Sequence, residues 1–562
     1  MVTPTPSQIE IRDLDKLDLL VVAPAGCGKT EAMALRVAGL IGRGAVDHPH
    51  RILVTTFSNR ARDNIRERLT DYVSTGTMRE RVTVANFHGL SARIFRAHAA
   101  VIGLSPGMLI PDSDWVGEQC RSRKLSFPES AEVQDLLRVA KQQPLGDGQI
   151  GELLAKSGNA VVLEIEQLRL SEDRLTYDDL PRLAELILQN EDVARLYQNH
   201  FSAVIVDEFQ DLTPQQLRIV NRIGFSKTTY AGDLAQGIYG FAGAEPDVVH
   251  AQIEAECSEW IEFADSHRSS PAVLDMVNAL AHRTGGSALT SADPSSWPKG
   301  GLAGRVAFPT TAAEAKWAVG FARFVLDRAP AHRVGVIART GPRRRFADEA
   351  FAASGLAYHR WDDGILDTDT AKIMRGMLAR LDVAEFHAAT DPLAFLRVAA
   401  NVEGVQDPST RDALVDALNW CCDLLQSGTA PNQIHARIRV GDTSTLLNVP
   451  GAHLLTGHVG KGQQFDWVII LGAEDGCIPD FRAKTNDTMA EEARILAVML
   501  SRARHGVVIL HSTSVEAAST GVAYSKSPSR FLADFNAVGS CLNPADTVQW
   551  MRDAPWDEIS AR

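Results

Sequence analysis

Cysteine is sparse and scattered in this chain of 562 residues: Cys27, Cys120, Cys257, Cys421, Cys422, Cys477 and Cys541 form no CxxC pair and no Cys/His cluster at zinc spacing. That excludes a structural zinc module and a four-cysteine iron–sulfur centre, and leaves buried free thiols as the reading. No apolar run reaches the length of a membrane span. The first residues, "MVTPTPSQIEIRDLDKLD", lack a basic stretch followed by an apolar core, so no secretory signal is expected and the expected location is cytoplasmic. Positive charge is also short, with 57 Lys and Arg against 70 Asp and Glu and a net charge of −13. A general basic coat for nucleic acid is thereby excluded, whereas a local basic groove is not. Internal repeats and low-complexity tracts are absent.

What is present is an ordinary globular composition, 45% hydrophobic and 23% charged. The length corresponds to about three to four domains. Short apolar segments alternate with helical patterns: "LLVVA" near residues 18–24, "RILVTTFS" (51–58), "VTVANFHG" (82–89), "FSAVIVDEF" (201–209) and "TTYAGD" (228–233). Such alternation predicts a parallel α/β sheet. Residues 91–198 interrupt it with helical periods such as "YDDLPRLAELILQ". A second α/β unit follows, carried by "RVAFP", "RVGVIART", "HLLTGHVG", "DWVIILGA" and "GVVILHS". The expected division is a first core over 1–90 and 199–270 with a helical insertion at 91–198. A second core over 271–365 and 446–536 carries a shorter helical insertion at 366–445, and 537–562 is a polar tail.

The stretch "LLVVAPAGCGKTEAM" (19–33) reads as strand, loop and helix. A loop of Ala23, Pro24, Ala25, Gly26, Cys27 and Gly28 can aim successive backbone N–H groups and a helix N-terminus at phosphate. Lys29 would reach the β- and γ-phosphates and Thr30 would hold magnesium. "VIVDEFQD" supplies acids at a strand end: Asp207 as the second magnesium ligand and Glu208 as the base that orients and deprotonates the attacking water. ATP or a close relative is the expected substrate.

With those residues in hand, the chain resembles the superfamily 1 DNA helicases of the UvrD/Rep/PcrA type. "DEFQD" resembles their motif II, "TPSQIEI" the adenine-reading glutamine motif, "VTTFSNRARDNIRERL" motif Ia and "VANFHGLSARIF" motif Ib. "AGDLAQGIYGFAGAEP" resembles motif III, "DSHRSSPAVL" motif IV, "VIARTGPRRRF" the IVa segment, "LLTGHVGKGQQFD" motif V and "EEARILAVMLSRAR" motif VI. The resemblance implies two RecA-like parallel-sheet cores of the P-loop NTPase class, each with a mainly helical insertion. It implies Gln8 on the adenine, Gln236 as sensor of the γ-phosphate, and Arg268 and Arg502 as the two arginines that neutralise charge during phosphoryl transfer. His267 and Gln464 fall at nucleotide-contacting positions. Phe57, Asn59, Phe87, His88, Tyr239 and Phe241 fall at or near positions that meet single-stranded DNA, where aromatic stacking is sequence-tolerant. Arg339, His458 and Lys461 would hold backbone phosphates.

Several positions depart from the family pattern. Glu31 stands where an adenine-packing arginine is usual, His267 where a stacking tyrosine is usual, and Gln464 where a nucleotide-contacting glutamate is usual. Ala242 and Gly341 replace DNA-linked residues, and Ala497 and Ser501 replace a tyrosine and a threonine. The magnesium ligands, the base and the arginines are retained. The expected activity is a magnesium-dependent ATPase moving along single-stranded DNA and unwinding at duplex–single-strand junctions, in the 3′ to 5′ direction that the resemblance implies. The alternative is a DNA-activated motor or sensor subunit of a complex with a protein partner such as a nuclease.

Overall fold

The strand Leu19–Val22 (β1) illustrates how the first sheet is built, because its alternate residues enter two different cores. Leu19 and Val21 pack with Ala32, Met33, Val37 and Leu40 of the following helix, whereas Leu20 packs with Phe95, Leu217 and Ile223 on the other face. The same alternation holds in Arg51–Thr56 (β2) and Phe201–Asp207 (β4), which flank Val82–Asn86 (β3) in the chain. A sheet covered on both faces needs continuously apolar strands, and these sequences supply them. With Thr228–Gly232 (β5) and Glu259–Glu262 (β6) the order is β3-β2-β4-β5-β1-β6, and every pairing is parallel. These facts come from a computed structural model that describes residues 3–57, 59–109, 115–361, 365–366, 368–404, 408–440, 449–459, 461–516, 522–538 and 544–562.

Helices fill the described part of 91–198. Trp115–Ser122, Phe127–Lys141, Asp147–Lys156 and Ala160–Ser171 close around a separate small core of Trp115, Val133, Leu137, Ile150, Leu154, Val162 and Ile165. Helix Asp179–Leu188 turns Leu180, Leu183 and Ile187 into the core of the sheet instead. Buried cations Lys141, Arg169 and Arg182 meet Glu166, Asp179 and Asp147 between these helices, with Lys141 Nζ 2.9 Å from Asp179 and from Glu166.

Two units emerge: Met1–Ala303 with Pro479–Ser501 and Phe531–Ser540, and Gly304–Ile478 with Arg502–Arg530 and Cys541–Arg562. The division differs from the sequence expectation at three places. Residues 271–303 belong with the first unit, because Leu274 and Leu289 join the core of Ile261 and Phe263, and Asp265–Ser266 (β7) pairs with Thr290–Ser291 (β8). The helix Asn486–Leu500, in motif VI, also joins the first unit: Arg494 reaches Asp247 at 2.7 Å and the carbonyl of Thr284 at 3.2 Å. The tail packs onto the second unit where it is described. Helices Pro544–Asp553 and Trp556–Ser560 lay Trp550 and Trp556 against the buried Trp467, at 6.0 and 5.4 Å between ring centroids.

The second unit is built from Leu302–Phe308 (β9), Arg333–Ala338 (β10), Tyr358–Arg360 (β11), a small parallel pair Ile365–Leu366 (β12) with Arg439–Val440 (β13), then Gly451–Thr456 (β14), Phe465–Leu471 (β15) and Ala503–Ser512 (β16). Its main sheet runs β11-β14-β10-β15-β16-β9, with β11/β14, β10/β14, β10/β15 and β15/β16 parallel. Between β12 and β13 the described helices surround a core of their own that includes Met374, Phe386, Leu396, Leu414 and Cys421. No described helix is long and apolar enough to cross a membrane.

Candidate nucleotide site and nucleic-acid surface

After β1 the backbone turns through positive φ twice, +89° at Gly26 and +81° at Gly28. Only glycine takes such a path without steric cost. Space requires it as well: a Cβ at Gly26 would lie 2.6 Å from Arg268 Cβ, and one at Gly28 would lie 2.6 Å from Gln8 Nε2. Gly28 then caps Lys29–Gly42 (the helix α1 of this site) with no side-chain hydrogen bond, so its first N–H groups are not claimed by a capping side chain. The Cys27 thiol is pushed up to about 12 by burial, so it stays protonated.

Lys29 is buried, with Nζ 2.5 Å from Glu208 Oε2 and 3.9 Å from Asp207 Oδ1. Burial works against its charge, but the carboxylates of Glu208 and Asp207 outweigh it and raise its pKa. Asp207 ends β4, which is separated from β1 by β5. Burial raises Asp207 to about 7; Lys29 opposes the shift and the charge of Glu208 adds to it. Glu208 has φ +61°, a left-handed conformation that costs a non-glycine residue about 1–3 kcal/mol and is held by its surroundings. Gln210 is the surrounding that sequence reasoning missed. Fully buried, it donates to Glu208 and accepts from the N–H of Asp233 at 3.0 Å. Asp233 in turn accepts from Gln236 Nε2 at 2.8 Å. The approach depends on Gly232, where a Cβ would stand 2.4 Å from Gln210 Oε1. The "Q" of "DEFQD" was the available signal.

Arg268 follows the exposed His267, whose N–H donates to the carbonyl of Gly26 at 3.0 Å. Burial lowers the Arg268 guanidinium to about 10, and its Nε is buried with no hydrogen-bond partner. Gln8 is buried beside the loop; its Oε1 accepts from Thr5 at 2.9 Å and its Nε2 donates to the Gly28 carbonyl at 3.2 Å. Glu31, in the first turn of α1, is bound by the Tyr72 hydroxyl and lies 3.1 Å from Arg68 Nε. A magnesium nucleotide fits this set. The glycine loop has the path of a phosphate cradle, Arg268 offers an unsatisfied buried donor, and Asp207 is a buried carboxylate whose ionised form a divalent cation would favour.

Beyond Gln236 the chain presents aromatics. Phe57 and Tyr239 stack at 4.8 Å with 20° between planes, and Tyr239 meets Phe241 edge-on at 5.8 Å. Phe241 is 66% exposed. Phe87 is a correction: it is 2% exposed and packs with Leu90, Ile94 and Phe95 in the sheet core, so it is not presented to a strand of nucleic acid. His88, the next residue, stacks on the exposed Tyr177 at 3.9 Å, and burial lowers its imidazole to about 4. Tyr177 was read only as part of a helical period; its exposure needs the fold. The side chain of Asn59 lies outside the described residues.

The remaining expected residues belong to the second unit. Arg502 is 2% exposed and directs Nη1 at the Gln463 carbonyl at 3.4 Å. Gln464 is exposed, and its carbonyl accepts from Arg333 at 2.8 Å. Arg339 Nη1 and His458 Nδ1 lie 3.4 Å apart, and the Lys461 N–H donates to the His458 carbonyl at 3.2 Å, so these three are brought together.

A parallel sheet with a glycine phosphate loop after one strand and acids at the tip of another defines a P-loop NTPase. Residues 5–255 match the UvrD/REP helicase N-terminal domain, and residues 436–514 match the UvrD-like helicase C-terminal domain. The chain belongs to the UvrD/Rep family of helicases. It is 26% identical over 555 residues to the ATP-dependent DNA helicase UvrD2 of Mycobacterium tuberculosis, covering 91% of this chain and 78% of that protein. It is 23% identical over 625 residues to the ATP-dependent DNA helicase PcrA of Staphylococcus aureus, covering 92% and 84%.

Proposed function

We propose that this chain is an ATP-dependent DNA helicase that moves 3′ to 5′ along single-stranded DNA and opens duplex at a junction. The observation that carries the reading is the run from Lys29 through Glu208, Gln210 and Asp233 to Gln236, which ends a few residues before the stacked Tyr239 and exposed Phe241. One ion pair and three hydrogen bonds thus run from the phosphate loop to the turn that precedes the aromatic residues.

In this reading the γ-phosphate of ATP draws Lys29 away from Glu208, which frees that carboxylate to orient and deprotonate water. Thr30 and Asp207 would hold magnesium, which supplies charge neutralisation at the phosphate oxygens. Arg268, with its unsatisfied Nε, stabilises charge on the transferring phosphoryl group, and Arg502 is assigned the same task on the strength of its motif. Gln236 reports the presence of the γ-phosphate. Gln8 reads the adenine edge only after exchanging its contact with the Gly28 carbonyl. His267 and Gln464 complete the nucleotide contacts. Phe57, Tyr239, Phe241, His88 and Tyr177 stack on bases, and Arg339, His458 and Lys461 hold phosphates.

Lys29→Ala and Glu208→Gln are each expected to abolish turnover, a fall of about 10²–10⁴-fold for loss of the base. Normal ATP hydrolysis by either variant overturns the site assignment. Steady-state ATPase without nucleic acid, with single-stranded DNA and with RNA, followed by strand displacement on 3′- and 5′-tailed duplexes, tests substrate and direction.

A further inference from the structure

The helix Asn486–Leu500 meets the rest of the first unit at three points along and just past its length. It packs on the turn Leu234–Gln236, which carries the γ-phosphate glutamine. Near its start, Glu491 Oε1 accepts from the backbone N–H of Gly240 at 3.1 Å. Past its end, the carbonyl of Ser501 accepts from Arg268 Nη1 at 3.4 Å, and the next residue is Arg502. Gly240 sits between Tyr239 and Phe241, so Glu491 holds the main chain of the aromatic loop. A Cβ at Gly240 would lie 2.7 Å from Glu491 Oε1, so the contact is close-packed as well as hydrogen-bonded. Arg494, one turn further on, fixes the helix to Asp247 and Thr284.

We propose that Glu491 is a positioning residue that couples the aromatic loop to the phosphate end of the site, so that single-stranded DNA on Tyr239 and Phe241 accelerates ATP hydrolysis through this helix. The inference rests on the proposed DNA-stimulated ATPase. An α-helix is stiff over the ten residues from Glu491 to Ser501, a span of about 15 Å. A shift of the Gly240 backbone when a base stacks beside it moves Glu491, and the helix carries that displacement to the carbonyl against which Arg268 rests. Glu491 touches neither phosphate nor base in this scheme. Its effect falls on the response to DNA, because the hydrogen bond it makes belongs to the loop that DNA engages.

The test compares ATPase with and without a single-stranded oligonucleotide, and DNA affinity by anisotropy, for wild type and Glu491→Ala, Glu491→Gln and Glu491→Asp. Glutamine keeps an acceptor at the same reach, whereas aspartate keeps the charge but withdraws the acceptor by one methylene. The expected pattern is retained stimulation in Glu491→Gln and a loss of about tenfold in stimulation in Glu491→Asp and Glu491→Ala, with basal turnover and DNA affinity unchanged. Retained stimulation in Glu491→Ala overturns the coupling. So does a pattern that keeps stimulation in aspartate and loses it in glutamine, which would mark charge alone. Loss of DNA affinity in step with stimulation also overturns it, by making Glu491 a support of the binding surface. Wild-type ATPase indifferent to DNA would overturn the function proposal itself, which separates the two failures. If Glu491→Ala does not fold, the glutamine and aspartate pair decides.

Discussion

At Gly26 the φ of +89° and the 2.6 Å approach of Arg268 Cβ act together. Gly26→Ala is expected to push Arg268 and Ser266 away from the loop and to strain the backbone by about 1–2 kcal/mol. ATP kinetics check this: kcat/KM falls by about tenfold or more, since 1.4 kcal/mol is one decade. The glycine, lysine and acid identities were legible because each is dictated by local chemistry within a few residues. The partners of Glu31 were not. Tyr72 and Arg68 lie some forty positions along the chain, and only the packing of the next helix brings them to that carboxylate. Gln210 is a similar case, since its role depends on a strand that approaches it through Gly232.

Elements decide which aromatics face outward. Tyr239→Ala is expected to weaken single-stranded DNA binding by about 1–3 kcal/mol, measured by anisotropy at fixed salt, with DNA-free ATPase retained. Phe87→Ala is expected to act differently, costing about 3–5 kcal/mol in stability by urea denaturation, because Phe87 fills the core beneath its helix. Phe87 and His88 are adjacent in sequence, and helix orientation alone sends one inward and the other to Tyr177. In the helical insertion, Asp179→Ala leaves Lys141, Arg169 and Arg182 short of a buried carboxylate. A destabilisation of about 3–5 kcal/mol is expected, read as a lower urea midpoint.

For the molecule as a whole, one source of acid sensitivity is a buried imidazole of the second unit. His453 is fully buried, accepts at Nδ1 from the Trp361 indole at 3.2 Å and faces the Val449 carbonyl with Nε2 at 2.8 Å. Protonating Nδ1 would set two donors against each other, and burial lowers the imidazole to about 3. A lowered histidine pKa means the unfolded chain takes the proton first as pH falls. The stability it protects is full above the ordinary value of about 6.5 and is lost progressively between there and about 3. Relative to His453→Gln, wild type is expected to lose about 2 kcal/mol between pH 8 and pH 5, measured from urea unfolding at each pH.

The sequence by itself determined the class of chemistry. Strand, glycine loop, lysine and paired acids are local signals, and their order along the chain carried the family resemblance. It also determined two α/β sheets, because strands covered on both faces must be continuously apolar. The tertiary structure decided what long-range packing controls. It placed residues 271–303 and the motif VI helix with the first unit, turned a polar-looking tail into helices whose two tryptophans pack on Trp467, buried Phe87 and exposed Tyr177. Those outcomes depend on which surfaces meet, and residues far apart in sequence set that jointly. The contact between Glu491 and Gly240 is of this kind: it joins residues separated by 251 positions, and no local pattern in either segment announces it.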